Sequence, residues 1–324
     1  MKKFIAKILL FIPLLFISYF LLLIVWNRFA PSFMKTNLRY GIGGYANMYS
    51  RISEVKEVKD VDILFLGASH AYRGFDPRIF KEYGYKTFNL GSPNQTPIQT
   101  KILVERYINR LNPKLIVYEV HPRAFLFDGV ESSLDILAND KIDLKSFKMA
   151  ITLNSIKTYN TLLYGYYRQV FNKNKNFKED PVKGDDIYIS GGFVEKKLSF
   201  NKPERLDAYK MSKWNPKTHQ INSFESILKI IKEKRIKLIL VQAPVTSNDF
   251  DQYKNIEAID AYFSGKTPNY YDFNKLIKMN DSLHFFDSHH LNQHGVRIFN
   301  EALIKKVIMN TQPGFGKMRA DVGN

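Results

Sequence analysis

The 324-residue chain contains no cysteine. This absence excludes disulfide bonds, thiolate metal sites and a cysteine nucleophile, so any covalent catalysis would fall to another side chain. It does not exclude export, because a chain that is 45% hydrophobic can build a core that needs no disulfides. The length suggests one large domain or two small ones.

The sequence also lacks a zinc-finger, homeodomain-like or RNA-binding motif, although basic residues dominate its charge. Lys and Arg number 48 against 31 Asp and Glu, which gives a net charge of +17. The basic residues are scattered along the chain and do not form one stripe. We therefore expect no nucleic-acid partner, and an anionic lipid surface or an acidic glycan would suit the charge equally well.

A long uncharged run occupies residues 8–26, and three lysines, Lys2, Lys3 and Lys7, precede it. Its 19 residues are enough to cross the hydrocarbon core of a bilayer as a helix. A cleaved signal peptide would have a shorter apolar region and small residues at a cleavage site. We predict a single-pass anchor at 8–26, residues 1–7 in the cytoplasm and the rest periplasmic or extracellular. A buried core helix is the alternative.

The remaining chain divides into a glycine-rich, polar tether at 27–58, a globular domain at 59–310 and a disordered tail at 311–324. Within the domain, apolar strands alternate with helices, which predicts an α/β fold with a parallel sheet covered on both faces. The predicted strands are 61–66, 87–90, 114–120, 236–242 and 284–286. The predicted helices are 77–83, 96–111, 223–234 and 293–309, the last with Asn292 as its N-cap.

An interval at about residues 123–222 separates the third and fourth predicted strands. It is too long for a structureless loop in a compact domain, so we expect an insertion that is mostly helical at its beginning. The insertion either covers the site and selects the substrate or is a surface decoration without a catalytic part.

Candidate catalytic residues follow the first strand and precede the last helix. Ser69 lies where the first strand ends, and open α/β sheets bind their ligands at this edge. Asp287 and His290 lie three residues apart, some 220 residues later. A serine becomes a useful nucleophile when a base accepts its proton, which His290 Nε2 can do while Asp287 orients the ring. A small residue at a strand-to-helix turn is the plainer interpretation of Ser69.

Neighbouring histidines offer other assignments. His289 is adjacent to His290, but the Asp-x-x-His spacing and the Leu-Asn that follows favour His290 as the base. A metal site built from Asp287, His289, His290 and His294 is conceivable by residue type, yet it would leave Ser69 without a role. We predict no metal site and no cofactor.

Three blocks in this order, Gly67-x-Ser69, Asn89-x-Gly91 and Asp287-x-x-His290, resemble the SGNH (GDSL-like) hydrolase superfamily. The arrangement is similar to its membrane-anchored branch that transfers or removes O-acyl groups on cell-surface polymers, as in alginate acetylation and teichoic-acid D-alanylation. The resemblance implies a three-layer α/β/α, flavodoxin-like sheet for nearly the whole domain. It also implies that the backbone N–H groups of Ser69 and Gly91 stabilise the oxyanion.

The chain departs from the superfamily in its third block, where an asparagine normally supplies a further oxyanion donor. Here the third strand ends in Glu119-Val120-His121-Pro122, without asparagine. Asn94 could replace it, although asparagines in turns are usually structural. Four other residues are candidates for substrate contacts or for merely closing a strand or starting a helix: His70, Arg73, Glu119 and His121.

These features predict a serine-dependent transferase or esterase for O-acyl groups, with acetyl the expected group, acting on an exported cell-surface polysaccharide. The resemblance implies a membrane-bound O-acyltransferase as a partner. Two alternatives remain open. The missing asparagine favours a catalytically inactive protein that binds glycan or scaffolds a polysaccharide export complex. The basic charge beside a bilayer suits a lipid or phosphodiester hydrolase at the membrane surface.

Overall fold

The computed structural model describes residues 1–202 and 212–311. Its strands are β1 (Ile63–Leu66), β2 (Thr87–Asn89), β3 (Leu115–Glu119), β4 (Val182–Lys183), β5 (Asp186–Ile189), β6 (Phe193–Lys196), β7 (Lys237–Gln242) and β8 (Tyr270–Asp272). Within these described ranges, five strands pair in parallel in the order β2-β1-β3-β7-β8. Strands β4 to β6 form a separate antiparallel sheet. The predicted α/β class with a central parallel sheet is confirmed.

The helices complete a three-layer arrangement. They are α1 (Lys2–Phe29), α2 (Met48–Val55), α3 (Ser69–Gly74), α4 (Pro77–Glu82), α5 (Pro97–Leu111), α6 (Val130–Asn139), α7 (Leu144–Leu153), α8 (Ile156–Val170), α9 (Thr218–Glu233), α10 (Ser247–Phe250), α11 (Ile256–Ser264), α12 (Phe273–Leu276) and α13 (Gln293–Ala302). Alternate strand residues point to opposite faces, so Leu64 packs with α2, α5 and α9 whereas Phe65 packs with α3, α4 and α13. Both faces of the sheet are therefore covered, as predicted.

Two predicted elements differ from the structure. The predicted strand 284–286 is wrong: Phe285 makes a single antiparallel bridge with Leu291, and the fifth strand is β8. Strand β8 is three residues long and half-buried at the sheet edge, so its sequence carries no apolar run that would reveal it. The predicted helix 223–234 begins earlier, at Thr218.

The last helix begins where the sequence predicts. The Asn292 side chain accepts a hydrogen bond from the Gly295 N–H at 3.1 Å, which confirms Asn292 as the N-cap. After α13 the chain continues as a π-helical segment, Leu303–Ile308, and one further turn, Met309–Thr311. Beyond Thr311, residues 312–324 of the expected disordered tail lie outside the described residues.

Helix α1 is 28 residues long and, by length and composition, apolar enough to cross a membrane. Only 6% of its most apolar stretch of 18 residues is buried, so α1 is not a core helix of the domain. Pro13 lies inside it without ending the helix, which is tolerated in membrane helices. The segment 27–58, expected to be a tether, packs against the domain in its second half. There α2 buries Met48, Ile52 and Val55 against the sheet.

The predicted insertion contains α6, α7 and α8, followed by the β4–β6 sheet, and so begins helical as expected. Residues 203–211 of this interval lie outside the described residues. A buried ion cluster joins the insertion to α5: Arg106 binds Asp140 and Asp143, both at 2.7 Å, and its side chain is fully buried. The Tyr107 hydroxyl also donates to Asp140 at 2.6 Å. The insertion is thus fixed to α5, a helix that covers the sheet, by buried charge pairs that salt and water screen little.

We expect Arg106→Ala to lower the free energy of unfolding by about 3–5 kcal/mol, because it removes the buried cation of the fully buried Asp140 carboxylate, which keeps only the exposed Lys56 at 3.6 Å. Urea unfolding of the detergent-solubilised chain, followed by fluorescence of the buried Trp214, measures the change. The matched control is Arg297→Ala, which removes an exposed pair with Glu82 and should change stability by about 0–1 kcal/mol. Equal losses for the two variants would contradict the structural role of the buried cluster.

Candidate functional site

The turn between β1 and α3 presents Ser69 at the carboxyl edge of the sheet. Gly67 has φ 140, and a Cβ at this position would lie 2.9 Å from the Cβ atoms of Ala71 and Glu119. Only glycine fits both the conformation and the space, so it allows β1 to turn tightly into α3. Ser69 is the first residue of that helix.

The loop before α13 brings Asp287 and His290 to Ser69. The Phe286 N–H donates to the His290 carbonyl at 3.0 Å, which closes the loop. Asp287 Oδ1 accepts hydrogen bonds from the backbone N–H groups of His289 (3.0 Å) and His290 (2.8 Å). The His290 ring then lies between the other two side chains: Nδ1 is 2.8 Å from Asp287 Oδ2, and Nε2 is 2.8 Å from Ser69 Oγ.

The electrostatics of Asp287 fix the direction of these hydrogen bonds. Burial opposes its ionisation, but the hydrogen bond from His290 and the nearby imidazoles outweigh burial and hold the pKa of Asp287 well below its usual value. An ionised carboxylate can only accept, so neutral His290 carries its proton on Nδ1. His290 Nε2 is then an acceptor for the Ser69 hydroxyl, which is the arrangement a general base requires.

A metal would compete with this arrangement. Ligand atoms of Asp287, His289 and His290 lie within 4.8 Å of one another. However, both ring nitrogens of His290 already contact Asp287 and Ser69, and His289 Nδ1 lies 3.0 Å from Ser288 Oγ. His294 is exposed and lies against Phe200, apart from the other three. Metal binding would therefore require His290 to give up a contact that the serine or the aspartate now makes.

A second group of buried polar side chains lies beside Ser69. The His70 ring stacks on His121, with 4.2 Å between centroids and 8° between planes, and lies 5.2 Å from the His290 ring. The His121 Nδ1 accepts from the Arg123 N–H at 3.3 Å, so Nε2 faces Asp249, whose Oδ2 is 3.6 Å away. That separation is longer than a hydrogen bond and leaves room for rearrangement when a ligand binds.

Sequence reasoning missed Asp249. It lies in α10, shortly after β7, and so shares the carboxyl edge of the sheet with Ser69. The available signal was a polar Ser-Asn-Asp run at residues 247–249, a few positions after the buried strand β7. Burial raises the pKa of Asp249, but contact with His121 outweighs it and the net pKa is lowered. Burial and the charge of His121 lower the pKa of His70 far below its usual value, so this ring is neutral.

Three other predicted site residues, Gly91, Asn94 and Arg73, have different surroundings in the structure. The Gly91 N–H, expected to face an oxyanion, donates to Asn89 Oδ1 at 2.9 Å, so that role would require this bond to break. Asn94 is exposed, with a left-handed φ of 48, at the rim of the site. Arg73, expected to contact substrate, instead forms two hydrogen bonds to Asp186 of β5, at 3.0 and 2.7 Å.

A small cleft of about 150 Å³ lies beside Ser69. It is lined by Ala68, Ser69, His70, Asn94, Gln95, His121, Arg123, Ala124, Phe127 and His289. Arg123, Ala124 and Phe127 belong to the start of the insertion, which therefore forms one wall of the cleft. Both ring nitrogens of buried His70 lack a hydrogen-bond partner among the described residues. Such a group can bind a polar ligand atom without first losing a protein contact.

Glu119 lies beneath the cleft, at the end of β3 and against Gly67. Its side chain is buried, and neither carboxyl oxygen makes a hydrogen bond of normal geometry within the described ranges, although the backbone N–H groups of Ala68, His121 and Ala243 lie nearby. Burial raises the pKa of Glu119 to about 7, although the charge of His121 and nearby backbone amides oppose the rise. Glu119 is therefore a buried acid whose charge changes near neutral pH, and it lies directly below the turn between β1 and α3 that presents Ser69.

No protein-family model matches the chain, and no curated protein matches it. Among solved structures, the chain is similar to a presumed acylhydrolase of Bacteroides fragilis, with 15% identity and a TM-score of 0.43 over 83% of this chain and 98% of that one. A GDSL-like lipase of Bacteroides thetaiotaomicron has 14% identity and a TM-score of 0.40 over 83% and 100%. A gut microbial diltiazem-metabolizing enzyme has 13% identity and a TM-score of 0.27 over 76% and 46%. Likenesses at this level assign no activity to this chain.

We expect Glu119→Gln to gain stability relative to the wild type as the pH rises from 4.5 to 7. Over this interval the unfolded Glu119 releases its proton while the folded one keeps it, so rising pH favours the unfolded wild-type chain. The contribution of Glu119 is fully present below pH 4.5 and is lost as the pH passes 7. At 1.36 kcal/mol per pKa unit, the relative change is about 3 kcal/mol.

Urea unfolding of both proteins at several pH values measures this difference. Glu301→Gln is the control, because a hydrogen bond from Lys305 lowers the pKa of the partly exposed Glu301 and gives its contribution the opposite pH dependence. A stability difference for Glu119→Gln that stays constant across the interval would show that the buried carboxyl does not change charge there.

Proposed function

We propose that the chain is a serine-dependent esterase or transferase for O-acyl groups, with Ser69 as nucleophile, His290 as general base and Asp287 as its orienting carboxylate. The observation that carries the proposal is the continuous contact from Asp287 through His290 to Ser69, with both links at 2.8 Å. The link between His290 and Ser69 joins residues 221 positions apart, so the fold itself assembles the arrangement. The order of the sequence blocks, which resembles SGNH (GDSL-like) hydrolases, supports the same roles.

In this mechanism Ser69 Oγ attacks the carbonyl carbon of the acyl donor while its proton passes to His290 Nε2. The tetrahedral intermediate collapses, the bond to the leaving oxygen breaks, and His290 returns the proton to that oxygen. An acceptor hydroxyl then gives its proton to His290 and attacks the acyl-serine. The bond between the acyl carbon and Ser69 Oγ breaks, and His290 returns the proton to Oγ, which regenerates Ser69. Water as acceptor gives hydrolysis, and a sugar hydroxyl gives transfer. Asp287 stays ionised throughout and stabilises the imidazolium.

The oxyanion of the intermediate needs hydrogen-bond donors. The Ser69 N–H lies in the first turn of α3, where backbone N–H groups have no partner within the helix. We expect His70 to supply a second donor, because its ring nitrogens are unpartnered among the described residues. Gly91 would first have to release Asn89. His70 would then take the place of the asparagine that the third block lacks.

An exported glycan is the substrate class that fits the surroundings. The cleft offers imidazoles, an arginine and Phe127, groups that hydrogen-bond hydroxyls and stack on sugar rings. The net charge of +17 would attract an acidic polymer, and α1 would hold the domain at the outer face of a membrane. A membrane-bound O-acyltransferase would supply the acyl donor from the same bilayer.

A second candidate is a catalytically inactive protein that binds glycan or scaffolds an export complex. Two observations favour it: the Gly91 N–H is engaged with Asn89, and Asn94 is exposed at the rim. Both reduce the donors available to an oxyanion, but neither disturbs the contact between Ser69 and His290. Reactivity of Ser69 therefore separates the two functions.

We expect a fluorophosphonate probe to label the wild-type chain at Ser69, and Ser69→Ala and His290→Ala to abolish labelling. Asp287→Asn should lower the turnover of an activated acetyl ester by about 10⁴-fold, because the amide favours the wrong tautomer of the imidazole. His294→Ala is the matched control, since this histidine is exposed and lies outside the contact chain. Folded wild-type protein without any labelling would favour the inactive glycan-binding alternative.

Once Ser69 reactivity is established, substrate choice separates glycan from lipid. We expect release of acetate from an acetylated acidic polysaccharide, or transfer of the acyl group to the deacetylated polymer, and neither from phospholipid vesicles. Both reactions should disappear in Ser69→Ala. Release of fatty acid from vesicles without any turnover of acetylated glycan would contradict the polysaccharide proposal and support a hydrolase of membrane lipids.

A further inference from the structure

Helix α7 has two apolar faces, of which only one belongs to the core. Met149 and Ala150 are buried in a cluster with α5, α6 and α8. On the other face, Leu144, Phe147 and Ile151 are 80%, 39% and 66% exposed. Their spacings of three and four residues place them along one stripe of the helix. An exposed apolar stripe of this kind marks a surface that meets a membrane or a partner.

The stripe continues into the corner between α7 and α8. Ile156, the first residue of α8, is 56% exposed. Basic residues surround this surface: Lys141 and Lys148 are exposed, whereas Lys145 pairs with Glu105 at 3.0 Å. We call Leu144, Phe147, Ile151 and Ile156 the α7–α8 apolar surface. Apolar side chains flanked by lysines are the pattern of helices that lie in the interface of an anionic bilayer.

Contacts with α1 place this surface at the level of a membrane. The Tyr19 hydroxyl donates to Asn160 of α8, and Phe20 meets Tyr167 edge-on with 6.5 Å between centroids. Ile156 is one helical turn, about 6 Å, from Asn160. Helix α1 is about 42 Å long at 1.5 Å per residue, against a hydrocarbon core of about 30 Å. A core of about 30 Å covers about 20 helical residues, so a core that begins near Lys2 would end close to Tyr19 and Phe20, where α8 contacts α1.

We propose that the α7–α8 apolar surface docks on the lipid bilayer through which α1 passes, in the leaflet that α1 leaves at its carboxyl end. Leu144, Phe147, Ile151 and Ile156 enter the boundary between headgroups and acyl chains, and Lys141 and Lys148 contact anionic headgroups. The inference rests on the proposed membrane anchoring of α1. It assigns a second, peripheral membrane contact that fixes the orientation of the catalytic domain.

The absence of cysteine makes the test direct, because each introduced cysteine is the only labelling site. Full-length Leu144→Cys, Ile151→Cys and Ile156→Cys each carry one fluorophore and are reconstituted in phosphatidylcholine vesicles with or without phosphatidylglycerol. Leu14→Cys, within α1, reports insertion of the anchor. Ile298→Cys is the matched control: this isoleucine is 39% exposed on α13, which covers the other face of the sheet.

We expect nitroxide-bearing lipids to quench most of the fluorescence at positions 14, 144, 151 and 156 and to leave position 298 unquenched. Quenching at 144, 151 and 156 should strengthen with phosphatidylglycerol, and Lys141→Glu with Lys148→Glu should remove that increase. Trp214 fluorescence and circular dichroism show that each variant is folded.

The remaining outcomes distinguish a failure of bilayer docking by the α7–α8 apolar surface from a failure of membrane anchoring by α1. Quenching at position 14 without quenching at 144, 151 and 156 would overturn bilayer docking and leave the anchor intact. No quenching at position 14 would overturn the anchor itself. Protection of the three α7–α8 positions from both lipid-borne and water-soluble quenchers would identify a protein contact, such as a second copy of the chain, and would equally overturn docking on lipid.

Discussion

The position of Ser69, the proposed nucleophile, depends on helix α3, which is six residues long and too short to be stable by its own hydrogen bonds. Tertiary contacts hold it on several sides. The buried Asn300 side chain donates to the Gly74 carbonyl and accepts from the Asp76 N–H at 2.9 Å. Arg73 is bound by Asp186 of the β4–β6 sheet. Because these partners come from the last helix and the insertion, Ser69 is placed only when the distant parts of the chain have folded.

Arg73 illustrates how a residue expected to bind substrate can serve the site indirectly. Its guanidinium lies over the Phe286 ring at 5.4 Å, and Phe286 stacks on His290 with 10° between planes. The pair with Asp186 thus fixes a stack of rings that ends on His290, the proposed general base. We interpret Arg73 as a positioning residue, since it touches the loop that carries His290 and not the cleft.

The sequence predicted the parts of the fold that depend on continuous apolar runs, and the residues at the ends of those runs. Strands β1, β3 and β7 are such runs. Ser69 was predicted because it follows the first of them, and His290 because of the Asp-x-x-His spacing and the Leu-Asn that follows it. Strand β8 and helix α2 were missed because each is short and carries polar residues. The pairings of Asp249 with His121 and of Arg73 with Asp186 were missed for another reason. Residues more than 100 positions apart leave no local pattern of their pairing, although a polar run after β7 marked Asp249 itself.

The insertion between β3 and α9 connects the α7–α8 apolar surface with the cleft beside Ser69. At one end its helices contact α1 through Asn160 and expose the α7–α8 apolar surface. At the other end Asp186 accepts hydrogen bonds from Arg73 of α3, and Arg123 and Phe127 line the cleft. The ion cluster of Arg106 fixes this segment to α5, so the proposed membrane contact and Ser69 share one framework. A glycan that reaches the cleft would therefore meet Ser69 at a set height above the bilayer, which is the condition for receiving an acyl group from a donor within it.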